Sequence, residues 1–398
     1  MVHTPNCDTL PPFIVTEESV EEETVRGYKA EHYYPVRTGN LFHNRYKVIG
    51  KLGFGSASTV WLCHDLQKRK EYVALKVYIN SSKVHRELPI YTHINSLDSQ
   101  HGGRNHVRKL LDSFDISGPN GRHTCLVHEA LGMNLEELRE LVPGRVFAAD
   151  LIRQSLRDVL RGMHFLHEEA HVVHTDIQPK NILLGVLDTS AFARFEQYEQ
   201  EHPMPCKETP SGTVYVSRQM PLTKGAPSLC DLSEARFGNI PNVDLVMPDV
   251  YRAPEVILGM PWSYSIDVWG FAMTLWDLFE PKRLFSPYDE NGRYSEHRHI
   301  AQMMSIMGPP PLEFIRQSAK SQQFWDDEGT WRDVVPLPNI SLEAAEKRLQ
   351  GEEKELFLTF LRKMLQWRPE DRKGIQDVFM DEWLLDDLIK AGEVVREQ

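Results

Sequence analysis

Three stretches in the first fifth of the chain alternate apolar and polar positions in the manner of β-strands. They read KVIGKL, VWLCHDL and YVALKVY, and TCLVHEALGMNL adds a fourth, more continuously apolar run. A period of two places alternate side chains on one face of a strand. Residues 101–122, with HGGRN and SGPNGR, are loop-like. We therefore predict strands at these four stretches and a loop before the fourth.

A helical period dominates further along the chain. Residues 147–170 place apolar side chains at helical spacing, and SYSIDVWGFAMTLWDLF is apolar almost throughout. Both are predicted to be core helices. Between them, HVVHTDIQPKNILL sets a polar loop between two apolar, strand-like runs. Such a loop would present Asp176 and Asn181 at fixed positions.

The length of the chain predicts two domains, because 398 residues are more than one hydrophobic core usually serves. Residues 1–26, which include the acidic run EESVEEE, are predicted to form a disordered acidic tail. Residues 187–227 form a polar insertion, interpreted as partly a loop or short helix. A polar, Pro-rich insert covers about 286–350, and 389–398 form a C-terminal tail.

Composition narrows the class of protein. Apolar residues make up 41% and charged residues 26%, and no apolar run reaches the roughly 18–20 residues that span a bilayer. The first residues have neither a basic start nor a long apolar core, so we expect no signal peptide. The five cysteines are scattered and predict reduced thiols in the cytosol or nucleus. A net charge of −12 argues against direct nucleic-acid binding and is compatible with basic peptide substrates.

Two local features suggest contact with an anion. The segment GFGSASTV from Gly53 to Val60 has two glycines at a strand turn, which either let backbone N–H groups approach phosphates or form an ordinary hairpin. Lys76 lies in a valine-rich strand, where burial is costly without an anionic partner. Glu87 is the only acidic residue between Glu71 and Asp98. It is either that partner or a solvated helix charge, and Pro89 places it near the helix start.

The order of the motifs resembles that of the eukaryotic protein kinases. The Gly-rich loop and the VALK lysine are followed by H-x-D-x-x-x-x-N at 174–181, Asp231-Leu232-Ser233 in place of D-F-G, Ala253-Pro254-Glu255, D-x-W-G from Asp267, and Arg372. The resemblance extends from Gly27 almost to the C-terminus. It implies an α+β, bilobal fold, with a small β-rich N-lobe over 27–131 and a mostly helical C-lobe over 132–388. In that family the aspartate of D-x-W-G braces the catalytic loop, and the late arginine pairs with the A-P-E glutamate.

The resemblance also implies ATP and Mg²⁺ as cofactors and assigns roles to individual residues. The catalytic residues would be Asp176, which positions the substrate hydroxyl, together with Lys76 and Lys180, and Asn181 and Asp231 would hold magnesium. His128 would be the gatekeeper, and Asn134 would be either a ribose contact or a plain helix N-cap. The implied nucleotide-binding residues are Leu52, Gly53, Phe54, Gly55, Ser56, Ala57, Ser58, Val60, Ala74, Lys76, Glu87, Glu129, Leu131 and Asn134.

Within the kinases, the stretch from Gly27 to Leu62, the HTDI sequence and the 187–227 insertion resemble the serine/arginine-rich protein-specific kinases of the CMGC group. This implies a serine/threonine kinase that acts on basic, Arg/Ser-rich splicing-type proteins. We expect a monomer without membrane contact, in the cytoplasm, the nucleus or both. The spacer-like insertion is short here, so the resemblance does not extend to the localisation role of a long spacer.

Departures from the family pattern keep alternatives open. Gln178 replaces a lysine that neutralises the transferring phosphoryl group, and Pro248 replaces a threonine, as in tyrosine kinases. A pseudokinase, suggested by Gln178, Ser58 and Ser233, and a dual-specificity or tyrosine kinase therefore remain alternatives. Thr175 replaces an arginine that receives an activation-loop phosphate, and residues 234–252 contain no Ser or Thr. We predict activity without activation-loop phosphorylation.

Overall fold

The structure, a computed structural model, describes residues 12–68, 71–81, 86–210, 212–240 and 242–395. The chain divides into two compact units, each formed from separate segments. The first unit comprises Met1–Tyr91, Arg108–Met133 and Leu184–Ala226. The second unit comprises Thr92–Val107, Asn134–Leu183 and Pro227–Gln398.

The strands are β1 Leu41–Phe42, β2 Tyr46–Phe54, β3 Ser58–Asp65, β4 Glu71–Tyr78, β5 Leu110–Gly118, β6 Gly121–Glu129, β7 Val172–Val173, β8 Ile182–Leu184, β9 Cys206–Thr209, β10 Gly212–Tyr215, β11 Pro227–Leu229 and β12 Arg236–Phe237. The helices are α1 Glu87–Ser96, α2 Leu135–Leu141, α3 Ala149–Glu168, α4 Ser190–Glu201, α5 Pro254–Ile257, α6 Ser265–Phe279, α7 Glu296–Met307, α8 Leu312–Ile315, α9 Leu342–Ala345, α10 Gly351–Met364, α11 Ile375–Phe379 and α12 Glu382–Ala391. Short 3₁₀ helices cover Glu21–Thr24, Ala30–His32, Gly102–His106, Pro143–Arg145, Pro179–Asn181, Asp249–Tyr251, Ala319–Gln323 and Pro369–Asp371.

The first unit is built on a six-stranded antiparallel sheet with the order β1-β2-β3-β4-β6-β5. The four strands predicted from the apolar pattern are present as β2, β3, β4 and β6. The loop expected over 101–122 is only partly found, because Leu110–Gly118 forms β5 at the sheet edge. Half-buried and exposed residues alternate along β5. The sequence shows this alternation poorly, because the half-buried positions include the polar Asp112.

Both faces of this sheet are covered. The period of two sends Trp61 and Cys63 into one cluster and Leu62 into another. The first cluster includes Cys206 and Tyr215 from β9 and β10. The second includes Phe192 and Phe195 from α4. The 187–227 insertion was predicted as part of the C-lobe, but it packs within the first unit. Its scattered aromatic side chains complete the apolar layers on the two faces of the sheet.

The acidic N-terminal segment also differs from the expected disordered tail. Residues 1–11 lie outside the described residues, but Glu21–Thr24 forms a 3₁₀ helix with Glu22 buried. Pro12 and Phe13 lie beside Cys206, whose N–H donates to the Pro12 carbonyl at 2.9 Å. Ion pairs and hydrogen bonds, which composition does not reveal, hold this segment in place.

The second unit is mostly helical, with α6 as its most buried element. Every residue of α6 from Ile266 to Phe279 is buried, and α3 packs against it along an apolar stripe. Both predicted core helices are therefore found. Two short strand pairs, β8 with β11 and β7 with β12, flank the loop that carries Asp176.

Two further sequence expectations concern membranes and thiols. No helix of the described ranges is long and apolar enough to cross a bilayer. Cys63, Cys125, Cys206 and Cys230 are free and buried, and Cys7 lies outside the described residues.

Candidate active site

The Gly-rich segment forms the β2–β3 hairpin of the first unit. The Gly55 N–H donates to the Ser58 carbonyl at 2.8 Å, and Gly53 lies opposite Val60 in the register. A Cβ built on Gly53 or Gly55 would meet no atom of the protein within 4 Å, and neither glycine has a positive φ. Neither internal packing nor backbone strain requires these glycines. A phosphate-binding loop needs open space beside its backbone, and both Gly53 and Gly55 have it. These residues therefore fit an ATP phosphate group.

Lys76 and Glu87 form the ion pair that the sequence predicted. The Lys76 Nζ lies 2.7 Å from a Glu87 carboxylate oxygen, and the Glu87 side chain is almost fully buried. Tyr78 donates its hydroxyl to the same oxygen, and the His128 Nε2 lies 3.9 Å from the other. Glu87 is the first residue of α1, so Pro89 falls in the first helical turn, as expected. The pair fixes the lysine ammonium on the strand that also carries the buried Ala74.

The predicted adenine-binding segment follows β6 in the first unit. The Glu129 carbonyl accepts two hydrogen bonds from the Arg108 guanidinium, at 3.2 and 3.1 Å, which already match the two lone pairs of that oxygen. Leu131 is buried, and His128 is buried opposite Ala74. The adenine contacts remain predictions. Asn134, in the second unit, is the N-cap of α2 and forms a capping box with Glu137, so the plain N-cap interpretation describes its contacts.

The catalytic-loop candidate lies in the second unit, between β7 and β8. Both carboxylate oxygens of Asp176 accept hydrogen bonds from side-chain amides: Gln178 donates to one, and Asn181 donates to the other at 2.6 Å. Asn181 also donates to the Asp176 carbonyl at 2.9 Å. The neighbouring Lys180 is exposed. These contacts fix the orientation of the carboxylate that the sequence assigned to the substrate hydroxyl.

Burial sets the protonation of Asp176. Removal from water is the largest influence on the pKa of this carboxyl and, with a smaller contribution from the nearby Asp231, raises it to about 6. The positive charge of Lys180, His174 and the hydrogen bond from Asn181 act in the opposite direction. A carboxylate with this pKa is ionised at neutral pH and is more basic than a solvent-exposed one.

The two predicted metal ligands are neighbours in the second unit. The N–H of Cys230, the residue before Asp231, donates to the Asn181 carbonyl at 2.8 Å. Asp231 has a positive φ of 63°. One carboxylate and one amide oxygen suit Mg²⁺, which takes oxygen ligands and completes its shell with water and phosphate. The described residues contain no cluster of three or more His, Cys, Asp or Glu placed to hold a metal.

Asp267 on α6 holds the backbone of the loop that carries Asp176, as the kinase resemblance implied. Its two buried oxygens accept the backbone N–H groups of His174 at 2.7 Å and Thr175 at 2.8 Å. The His167 ring lies 2.8 Å from the same carboxylate. These donors satisfy a charge buried in the apolar helix α6 and hold Thr175 at a φ of 67°.

The pair implied between Arg372 and the A-P-E glutamate is also present. Two guanidinium nitrogens of Arg372 lie 2.6 Å from the two oxygens of Glu255, and both side chains are fully buried. Two parallel N–H···O bonds make this a bidentate pair.

Sequence reasoning gave Gln178 no positive role. The sequence shows only the loss of a lysine at this position, because the contact of the Gln178 amide with Asp176 depends on the loop conformation. A glutamine two residues after the predicted catalytic carboxylate is the one signal in the sequence.

Comparisons with known sequences identify the family. The model of the protein kinase domain matches residues 46–384. A serine/threonine protein kinase of Aspergillus fumigatus is 38% identical over 94% of this chain and 93% of its own length. The serine/threonine-protein kinase SRPK of Physarum polycephalum is 30% identical over 92% of both chains. Mouse SRSF protein kinase 3 is 38% identical over 44% of this chain and 32% of its own length.

A crystal structure of a kinase domain superposes with a TM-score of 0.69 at 24% identity and covers 89% of this chain and all of its own. At that identity the superposition supports the fold alone, and the bilobal α+β kinase fold predicted from the sequence is confirmed. Together with the family match and the relatives, it shows that this chain belongs to the protein kinase family, as a serine/threonine kinase of the SRPK type.

Proposed function

We propose that this kinase transfers the γ-phosphoryl group of Mg·ATP to serine or threonine hydroxyls of Arg/Ser-rich proteins. The observation that carries the proposal is the fixed Asp176 carboxylate, held by two amides on a loop that buried Asp267 braces. Bound Mg·ATP supplies the transferable phosphoryl group and the metal charge that balances it. The protein contributes orientation and charge, which are the main terms in phosphoryl transfer.

Each group has a separate role in this proposal. Asp176 orients the substrate hydroxyl and accepts its proton. Lys76, held by Glu87, binds the phosphates, and the backbone N–H groups from Gly53 to Ser58 cover them. Asn181 and Asp231 are the magnesium ligands. Lys180 lies next to Asp176 in place of the missing lysine at 178, and its charge lowers the pKa of that carboxyl.

The substrate class rests on the relatives and on charge. One relative is named SRPK and another SRSF protein kinase 3. The chain carries a net charge of −12, and the 234–252 segment includes the exposed carboxylates Glu234 and Asp244 and the half-buried Asp249. These features support basic protein substrates. A monomer without direct nucleic-acid contact, located in the cytoplasm, the nucleus or both, remains a prediction from the resemblance.

We also propose that the enzyme is active without activation-loop phosphorylation. The segment 234–252 is held by contacts that need no phosphate. The Thr175 hydroxyl donates to the Glu234 carbonyl at 2.8 Å, Arg236 lies 2.6 Å from Asp244, and Arg252 donates to the Met247 carbonyl at 3.1 Å. Thr175 therefore replaces an arginine–phosphate contact with a direct hydrogen bond to the segment.

The experiment is phosphoryl transfer from labelled Mg·ATP to an Arg-Ser repeat peptide, with a Tyr-containing peptide as control. Phosphatase-treated enzyme and the Asp176→Asn variant run in parallel. We expect transfer to serine that survives phosphatase treatment and falls at least about 100-fold in the variant. Transfer mainly to tyrosine would replace the proposal by dual or tyrosine specificity. ATP binding without any transfer would make the chain a pseudokinase, and inactivity only after phosphatase treatment would reject the activation-loop proposal.

A further inference from the structure

The segment Glu21–Tyr33, here called the N-terminal brace, contacts the Gly-rich hairpin within the first unit. Its first anchor is Lys51 on β2, whose side chain is fully buried. The Lys51 ammonium bonds the Glu22 carboxylate, lies 3.3 Å from Glu21 and donates to the Tyr215 carbonyl at 2.9 Å. A buried ammonium is tolerated only with such partners, so this contact fixes the acidic turn on the strand that leads to Gly53.

A second set of contacts fastens the same turn to the insertion. The Lys207 Nζ lies 2.9 Å from Glu23 and also donates to the Glu18 carbonyl at 2.9 Å. The Ser217 hydroxyl donates to Glu21 at 2.6 Å. Each of the three consecutive carboxylates thus has a partner on β2 or in the insertion. These specific contacts differ from the disordered acidic tail that composition predicts.

The far end of the brace reaches the hairpin tip. The Tyr33 hydroxyl lies 3.1 Å from the Gly55 carbonyl and 3.4 Å from the Ser56 carbonyl. The backbone before Tyr33 is itself held, because the Asn80 N–H donates to the His32 carbonyl at 2.9 Å. The Tyr28 ring packs beside the Tyr33 ring at 5.1 Å between centroids. Tyr33 is therefore a fixed hydrogen-bond donor at the hairpin tip, where Gly53 and Gly55 make no packing contact.

The direction of this hydrogen bond has a consequence for the neighbouring amide. In a trans peptide the C=O of one residue and the N–H of the next point in opposite directions. The described chain has no cis peptide bond. By holding the Gly55 carbonyl, Tyr33 directs the Ser56 N–H away from the brace. Backbone N–H groups are the phosphate-binding atoms of such loops, and a glycine peptide is otherwise free to rotate.

We propose that Tyr33 is a positioning residue for the Gly-rich loop, which orients the Ser56 N–H toward the nucleotide phosphates through its hydrogen bond to Gly55. The proposal rests on the ATP binding that accompanies the kinase family. It adds to that family function a segment that precedes the matched kinase domain, which begins at residue 46. Tyr33 touches neither nucleotide nor substrate in this proposal and acts only through the loop.

The test compares Tyr33→Phe with Tyr28→Phe in the full chain. Each variant removes one hydroxyl and keeps its ring in the same aromatic pair. We measure the Kd of a non-hydrolysable Mg·ATP analogue by calorimetry, the KM values for ATP and peptide, the Tm, and amide exchange over residues 50–60 without nucleotide. We expect Tyr33→Phe to weaken analogue binding and raise the KM for ATP roughly three- to tenfold. Amide exchange in the loop should be faster, while the peptide KM and the Tm stay unchanged.

Tyr28→Phe should match the wild type in all of these measurements. Unchanged analogue affinity in Tyr33→Phe would overturn the proposal, whether or not amide exchange changed. A loss of affinity of equal size in both variants, accompanied by a lower Tm, would also overturn it, because the effect would then be general packing. A wild-type protein that binds the analogue but does not phosphorylate the peptide would count against the transfer reaction and not against the role of Tyr33.

Discussion

At the scale of single residues, the catalytic loop shows how a neutral side chain can take the place of a charged one. The amide of Gln178 donates to Asp176, where the family pattern has a lysine. An amide orients the carboxylate but adds no positive charge, and burial then raises the pKa of Asp176 to about 6. The positive charge nearest in sequence comes from Lys180, which is exposed. Orientation and charge are thus divided between two residues.

The first prediction separates these two roles. Gln178→Met removes the donor at nearly constant volume, and we expect kcat to fall roughly tenfold because Asp176 loses one of the two bonds that orient it. Gln178→Lys restores a donor and adds a charge, so its kcat should equal or exceed that of the wild type. Single-turnover transfer at saturating Mg·ATP is the measurement. A methionine variant with full activity would show that the amide contact has no catalytic importance.

At the scale of elements, the insertion helix α4 is part of the first unit's core. Phe192 and Phe195 lie three positions apart and pack with Leu62 on one face of the sheet. Glu196 on the same helix accepts from the Tyr72 hydroxyl at 2.9 Å and lies 2.8 Å from the His64 ring. A segment that is polar in most positions is therefore held by one apolar edge and a few polar contacts.

The second prediction tests whether α4 stabilises the sheet. Phe195 is 3% exposed, and Phe195→Ala should lower the free energy of unfolding by about 3 kcal/mol or more, through lost burial and a new cavity. Gln197→Ala, two positions along the same helix and exposed, is the matched control and should change it by less than about 0.5 kcal/mol. Urea unfolding measures both. Equal, small effects would mean that α4 contributes little to the stability of the sheet.

Some contacts between elements could be predicted from the sequence and others could not. The Lys76–Glu87 pair was predictable because only one acidic residue lies between Glu71 and Asp98. The buried Arg372–Glu255 pair followed from the order of motifs. The Lys51–Glu22 pair was not predictable, because an acidic run near a terminus has the composition of a disordered tail. The placement of α4 was likewise hidden, since two phenylalanines in a polar stretch do not show which surface they cover.

At the scale of the whole molecule, the dependence of stability on pH includes a contribution from one fully buried histidine. Burial and the nearby Arg252 lower the pKa of His299 to about 3. Its Nδ1 lies 3.2 Å from the Tyr294 hydroxyl, and its ring packs against Phe285. The unfolded chain binds a proton at this residue below about pH 6.5, whereas the folded chain does not until near pH 3. The contribution of His299 is therefore present above pH 6.5 and is lost progressively as the pH falls toward 3.

The third prediction follows from this sign. Between pH 7 and pH 5, His299 should account for a loss of about 2 kcal/mol in the free energy of unfolding. His299→Asn keeps an acceptor for Tyr294 but cannot titrate. Between pH 7 and pH 5, the free energy of unfolding of this variant should therefore fall by about 2 kcal/mol less than that of the wild type. Urea unfolding of both proteins at the two pH values is the measurement. Identical slopes for variant and wild type would show that His299 takes up its proton over the same pH range in the folded and the unfolded chain.

The two covered faces of the first unit's sheet also bear on when this unit can fold during synthesis. One face needs Cys206 and Tyr215 and the other needs Phe192 and Phe195, all more than 50 residues beyond the last strand of the sheet. The ribosome releases these residues only after the whole loop between β7 and β8 of the second unit has been made. Until then, the nascent sheet exposes apolar surface on both sides, which is the condition under which chains aggregate or recruit chaperones. The insertion therefore sets the earliest moment at which the nucleotide-binding half of the enzyme can become stable.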